Sequence, residues 1–141
     1  MAVNNILGYY IRSKMNGFVL DVSSERTVAG THVVVNPIKI DARNNRHQLW
    51  SFNNDSTIRH LNSGLVLDIH GVDKRSLIVF THHAEDNQKW RVDSETGYII
   101  NPPTNNVVDI EYPNIQAGAR VIAWPKDTGS NQKWELVAKF N

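Results

Sequence analysis

The sequence has no cysteine, which excludes disulfides and thiolate-held metal or redox centres. It has no surplus of one charge: 15 basic and 14 acidic side chains leave a formal net charge of +1. A nucleic-acid or heparin surface therefore has no electrostatic support. No apolar run approaches the ~18 residues a membrane-spanning helix needs. The opening stretch, MAVNNILGYY, lacks the charged segment followed by an apolar core that marks a secretory leader. The expected location is cytoplasmic, although a leaderless or trimmed secreted form would read the same. Nor does any stretch sustain a 3.6-residue apolar period long enough for a good helix. With 141 residues, one domain spanning 1–141 is expected, large enough to bury a core without staples.

What the chain does have is internal repetition. Asn-Gln-Lys-Trp occurs at Asn87–Trp90 and again, 44 positions on, at Asn131–Trp134; a looser copy, His47–Trp50, lies 40 positions before the first. Upstream of each stand apolar residues, an Asp and a β-branched residue: Val19-Leu20-Asp21-Val22, Val66-Leu67-Asp68-Ile69 and Val107-Val108-Asp109-Ile110. Strand-like runs and turn residues flank each motif in the same order, such as Asn16-Gly17 and Asn62-Ser63-Gly64 before the first two. Each unit reads as four short strands. The repeats run approximately over 7–53, 54–94 and 95–138. Twelve strands in three equal units imply a closed, pseudo-threefold all-β body, because closure removes exposed edges. A unit this short cannot bury its own apolar face, so Trp50, Trp90 and Trp134 are expected to share one core. Gln48, Gln88 and Gln132, two residues earlier, are read as lying on the same strand face. There they would be partly buried and bonded to the backbone of a neighbouring loop. Gln-x-Trp is thus a structural signature.

Three Gln-x-Trp motifs in register with three apolar-apolar-Asp motifs resemble the ricin-type β-trefoil lectin domain over roughly residues 7–138. Many members carry a Cys just before the apolar-Asp pair; here Val19, Val66 and Val107 stand there, as in the cysteine-free branch with fungal and bacterial members. The resemblance implies a β-trefoil and shallow sites for galactose or N-acetylgalactosamine, at most one per repeat. Each would use the motif Asp, an aromatic on the third strand and an Asn just before the Gln. The residue types suit the task. A carboxylate accepts from two neighbouring hydroxyls, an amide both donates and accepts, and an aromatic face covers the apolar patch of a pyranose.

Carried over, these roles assign Asp109, Trp124 and Asn131 in the third repeat, which is expected to be the strongest site. In the second they assign Asp68, Phe80 and Asn87. His82 or His83 could there reach a hydroxyl, and Gly71 would let a backbone amide approach the ligand. The first repeat departs from the pattern. Asp21 remains, but Asn36 aligns with Trp124 and His47 replaces the Asn. Either this site is lost, or it reads another sugar through Asn36, Asn44, Asn45 and His47.

Plainer readings stand beside these. An Asp at a strand end also anchors turns, and Trp124 could be core, although Trp124-Pro125-Lys126-Asp127 runs into polar loop. The six histidines show no i, i+4 zinc spacing, so no metal or other cofactor is expected. No nucleophile elbow is present, and threefold-related carboxylates suit repeated binding sites better than one acid/base pair. A non-enzymatic lectin for glycans of glycoproteins or glycolipids is therefore expected, its avidity raised by several sites or by a homodimer. Its rivals are a β-trefoil protease inhibitor, which would not need Asp, aromatic and Asn in register, and a carbohydrate-binding module of a larger glycosidase. The chain shows no Ser/Pro-rich linker to suggest the latter.

Overall fold

Each repeat supplies four strands. The first has β1 (Ile6–Ser13), β2 (Val19–Asp21), β3 (Val34–Asn36) and β4 (Trp50–Phe52). The second has β5 (Ile58–His60), β6 (Val66–Ile69), β7 (Leu77–Phe80) and β8 (Arg91–Val92). The third has β9 (Ile99–Asn101), β10 (Asn106–Ile110), β11 (Val121–Pro125) and β12 (Trp134–Phe140). The structure, a computed structural model, describes residues 5–22, 26–41 and 45–140; Asn44 lies outside them.

Six strands form a ring. β12 pairs with β1, β1 with β4, β4 with β5, and β8 with β9, all antiparallel. Single backbone bonds join the rest: Trp90 N–H to Ser56 C=O (2.9 Å) and Trp134 N–H to Gly97 C=O (2.8 Å). The other six strands form three hairpins, β2–β3, β6–β7 and β10–β11. Isolated bridges lace them together in a cycle: His32 to Ile78, Ser76 to Ile122, Val34 to Arg120. This is the β-trefoil that the resemblance implies.

Equivalent turns need equivalent backbone. Gly17 (φ 78°), Gly64 (φ 76°) and Asn105 (φ 62°) all enter the left-handed region. Each donates its N–H to the carbonyl four residues back, at Ser13, His60 and Asn101. Glycine, and at lower frequency Asn, tolerates that geometry.

The core is shared as expected. Trp50, Trp90 and Trp134 are buried in one cluster with Leu20, Leu67 and Val108. Each indole N–H donates to the carbonyl just before the motif Asp, at Leu20 (3.2 Å), Leu67 (3.1 Å) and Val108 (2.9 Å). Burying one such ring contributes at most about 4–6 kcal/mol of transfer free energy, and the indole bond leaves no polar atom stranded. One expectation is corrected. The glutamines do not lie on a strand. They end short 3-10 turns, Arg46–Gln48, Asp86–Gln88 and Ser130–Gln132, which turn each side chain inward before the chain reaches Trp. The side-chain oxygens accept from loop amides as expected: Lys39 for Gln48, His83 and Ala84 for Gln88, Asp127 for Gln132.

Candidate functional site

The hairpin register places the expected residues. Trp124 pairs with Val107, Phe80 with Val66 and Asn36 with Val19, while Asp109 pairs with Ile122, Asp68 with Ile78 and Asp21 with Val34. Position 36 is therefore the structural equivalent of the two aromatics, as the alignment suggested. Val19, Val66 and Val107 are fully buried, so apolar packing fills these positions.

In the third repeat the carboxylate of Asp109 is held from both sides. Asn131 Nδ2 donates to Oδ1 (3.2 Å) and Gln132 Nε2 donates to Oδ2 (2.8 Å). Each amide also donates to a carbonyl, at Ile110 (3.1 Å) and Pro125 (2.9 Å). The Gln of Gln-x-Trp thus orients the Asp of the upstream motif, a link that neither motif announces. Asp109 is 3% exposed and Trp124 43% exposed. The carboxylate forms a floor rather than a rim. It shares a hollow of about 140 Å³ with Trp124 and Asn131. Arg75, Glu111, Tyr112 and Asp127 also line that hollow. Burial pushes the Asp109 carboxyl up to about 6, with the charges of Asp127 and Glu111 adding to the rise and the two amides opposing it.

The second repeat repeats the scheme. Asn87 Nδ2 donates to Asp68 Oδ1 (3.0 Å) and to Ile69 C=O (3.1 Å), and Gln88 Nε2 donates to Asp68 Oδ2 (2.7 Å) and to Thr81 C=O (2.9 Å). Asp68 is 2% exposed and Phe80 39% exposed. Burial raises the Asp68 pKa, opposed by Gln88, His83 and Asn87. His83 joins the group: its Nε2 lies 3.7 Å from Asp68 Oδ2 and its ring stands 6.4 Å from that of Phe80, edge to face. Two expected residues stand apart from this group. His82 is engaged elsewhere, with Nε2 2.6 Å from Asp55 Oδ2. Gly71 lines a neighbouring hollow with Asn87, Asn101 and Thr104, where neither Asp68 nor Phe80 is found. A Cβ at Gly71 would meet nothing within 4 Å.

The first repeat does not assemble the set. Asn36 Nδ2 and Gln48 Nε2 both donate to Asp21 Oδ2, each at 3.1 Å. Among the described residues Oδ1 of Asp21 is buried without a partner, and the residue is 1% exposed. In the other repeats the Asn serves that oxygen. At the equivalent position, His47 Nδ1 lies 3.5 Å from Asn62 Nδ2. Asn45 is buried and donates to Tyr10 Oη (3.3 Å). Asp21→Asn is accordingly expected to leave glycan affinity within about twofold of the parent, read by calorimetry. A larger loss would restore this repeat as a binding site.

Sequence reading missed Arg75, Glu111, Tyr112 and Asp127. Arg75 stands 49 residues before Trp124 and belongs to the preceding repeat. No local motif links the two; the bridge between Ser76 and Ile122 brings them together.

The ricin-type beta-trefoil lectin domain family matches residues 8–134. Compared with curated protein sequences, the chain finds no match. Among solved structures, the C-half of an earthworm R-type lectin in complex with GalNAc superposes with a TM-score of 0.83 at 23% identity, covering 94% of this chain and 99% of that one. A mutant C-terminal domain of an earthworm lectin, in complex with 6'-sialyllactose, gives 0.80 at 22% identity, covering 93% and 98%. The designed threefold-symmetric protein ThreeFoil gives 0.80 at 28% identity, covering 92% and 98%.

Proposed function

Because the chain belongs to the ricin-type β-trefoil lectin family, a family of carbohydrate-binding domains, we propose that it is a non-catalytic lectin for galactose- or N-acetylgalactosamine-type glycans. Its sites are the third repeat (Asp109, Trp124, Asn131) and the second (Asp68, Phe80, Asn87, His83). The observation that carries this reading is the single hollow in which a carboxylate, an amide and a half-exposed indole converge. The floor carboxylate accepts from two adjacent sugar hydroxyls through the lone pairs its amide partners leave free. The Asn131 amide oxygen accepts a third bond, and the indole covers the apolar sugar face. The earthworm relative bound to GalNAc supports the choice of sugar class. Each site should be weak, on the order of −4 kcal/mol for a monosaccharide. Two sites on one body, or a homodimer, would raise avidity for glycoproteins and glycolipids by about 10²–10⁴. A glycan array together with a lactose titration followed by tryptophan emission tests the reading. Galactosides should bind and change the emission through Trp124. Failure of all galactosides to bind would sink it, and protease inhibition without glycan binding would favour the inhibitor reading.

A pH profile follows from the floor carboxylate. Sugar hydroxyls donate to the ionised form, so third-site binding should level off above about pH 7 and fall as pH drops through the Asp109 pKa of about 6. At pH 5 the affinity should be about tenfold below that at pH 7, in proportion to the ionised fraction. The measurement uses an Asp68→Ala background to isolate the site. Stability moves oppositely. A carboxyl whose pKa rises on folding favours the folded state at low pH, and that contribution is lost as pH rises through about 6.

A further inference from the structure

We propose that Arg75 is an affinity-determining residue of the third-repeat site. It lies across the stacking face of Trp124 and must be displaced before a sugar can bind. The proposal rests on reading that hollow as a sugar site. The guanidinium carbon stands 5.0 Å from the centre of the Trp124 ring, and Nη2 lies 3.0 Å from Glu111 Oε1. Arg75, Glu111, Trp124 and Asp109 line one hollow. Glu111 follows Asp109 by two residues, so the arginine reaches from the indole to the segment that carries the carboxylate. Arg75 and a pyranose stacked on Trp124 beside Asp109 would therefore compete for the same hollow.

The root of the side chain is fixed. Arg75 C=O accepts from Ala123 N–H (2.7 Å), and Arg75 N–H donates to Asp73 Oδ1 (2.9 Å). The pseudo-threefold axis supplies the comparison. Val79 N–H donates to Thr31 C=O and Val35 N–H to Ala119 C=O, both at 3.0 Å. Thr31 and Ala119 are therefore the equivalents of Arg75. Ala119 has only a methyl, and the Thr31 hydroxyl donates to Val28 C=O (2.7 Å). Of the three equivalent positions, only Arg75 carries a cation able to cover a ring. The repeat expected to bind most strongly is thus the one whose ring carries a cation.

Displacement breaks an exposed ion pair and a cation–π contact at once. Each is modest at exposed sites, so together they should weaken binding by about three- to thirtyfold. The arginine and glutamate side chains are 46% and 40% exposed, so salt screens their pairing.

The test uses Asp68→Ala, which leaves the third site alone, and follows lactose binding through the indole N–H resonance of Trp124. The other three indoles donate to buried carbonyls and serve as internal references. Adding Arg75→Ala should tighten binding by about three- to thirtyfold. Glu111→Gln, which loosens the arginine without removing it, should give a smaller gain. Raising salt from about 50 to about 500 mM should tighten binding when Arg75 is present and not when it is absent. Unchanged or weaker binding in the Arg75→Ala variant overturns the proposal and leaves the sugar site standing. If Trp124 responds to lactose in none of the variants, the sugar site itself fails, and the proposal with it.

Discussion

Replacing Asp68 and Asp109 together by alanine should abolish galactoside binding while leaving the fold intact. Each carboxylate is assigned two hydrogen bonds to sugar hydroxyls, and charged hydrogen bonds contribute about 1.5–3 kcal/mol each. Losing two costs about 3–6 kcal/mol, or roughly 10²–10⁴ in affinity. A site that begins near millimolar then falls out of measurable range. The fold survives because the stranded amides keep second acceptors. Asn131 and Gln132 still donate to Ile110 and Pro125, and Asn87 and Gln88 still donate to Ile69 and Thr81. Each single variant should remove one site, visible as lower calorimetric stoichiometry. Lactose bound by the double variant at the parent's affinity, with a native circular dichroism spectrum, would remove both carboxylates from the binding machinery.

The largest effect on stability should come from Trp50→Ala. The ring is fully buried, stands 5.0 Å from that of His60, and donates to Leu20 C=O. Aromatic-to-alanine changes in cores cost about 3–5 kcal/mol, a large part of the 5–15 kcal/mol that is typical of a whole domain. The carbonyl of Leu20 also loses its side-chain donor. A fall in melting temperature of about 10–20 °C is expected, measurable by thermal or urea denaturation. Trp124→Ala is the control. Exposed on β11, it should cost less than about 1 kcal/mol and still remove third-site binding. Similar losses in the two variants would mean that Trp124 is a core residue after all.

The two tryptophan contexts differ in a way the chain displays openly. Trp50, Trp90 and Trp134 recur in one local pattern, as a threefold core demands, whereas Trp124 falls outside it and precedes polar loop. The Asp motifs were less transparent. Asp21, Asp68 and Asp109 look alike in sequence and are all buried, yet their second oxygens fare differently. Asn87 and Asn131 complete two of them, and the Asn-to-His change at position 47 leaves the third short of a donor. That the change mattered could be read from the alignment. That Asn36 would turn its own amide onto Asp21 could not, because it depends on the pairing of β2 with β3.

Repetition in the chain was enough to specify a triplicated all-β body, its shared aromatic centre and the strand ends where carboxylates would gather. These follow from periodic placement of apolar and turn residues, a local property that any one-dimensional reading can detect. Packing between repeats decided the rest. It sank the carboxylates to the floor, coupled each to the glutamine of its own Gln-x-Trp, and carried Arg75 from the second repeat onto Trp124 of the third. Such contacts join residues far apart along the chain, and their distances exist only once the ring of strands has closed.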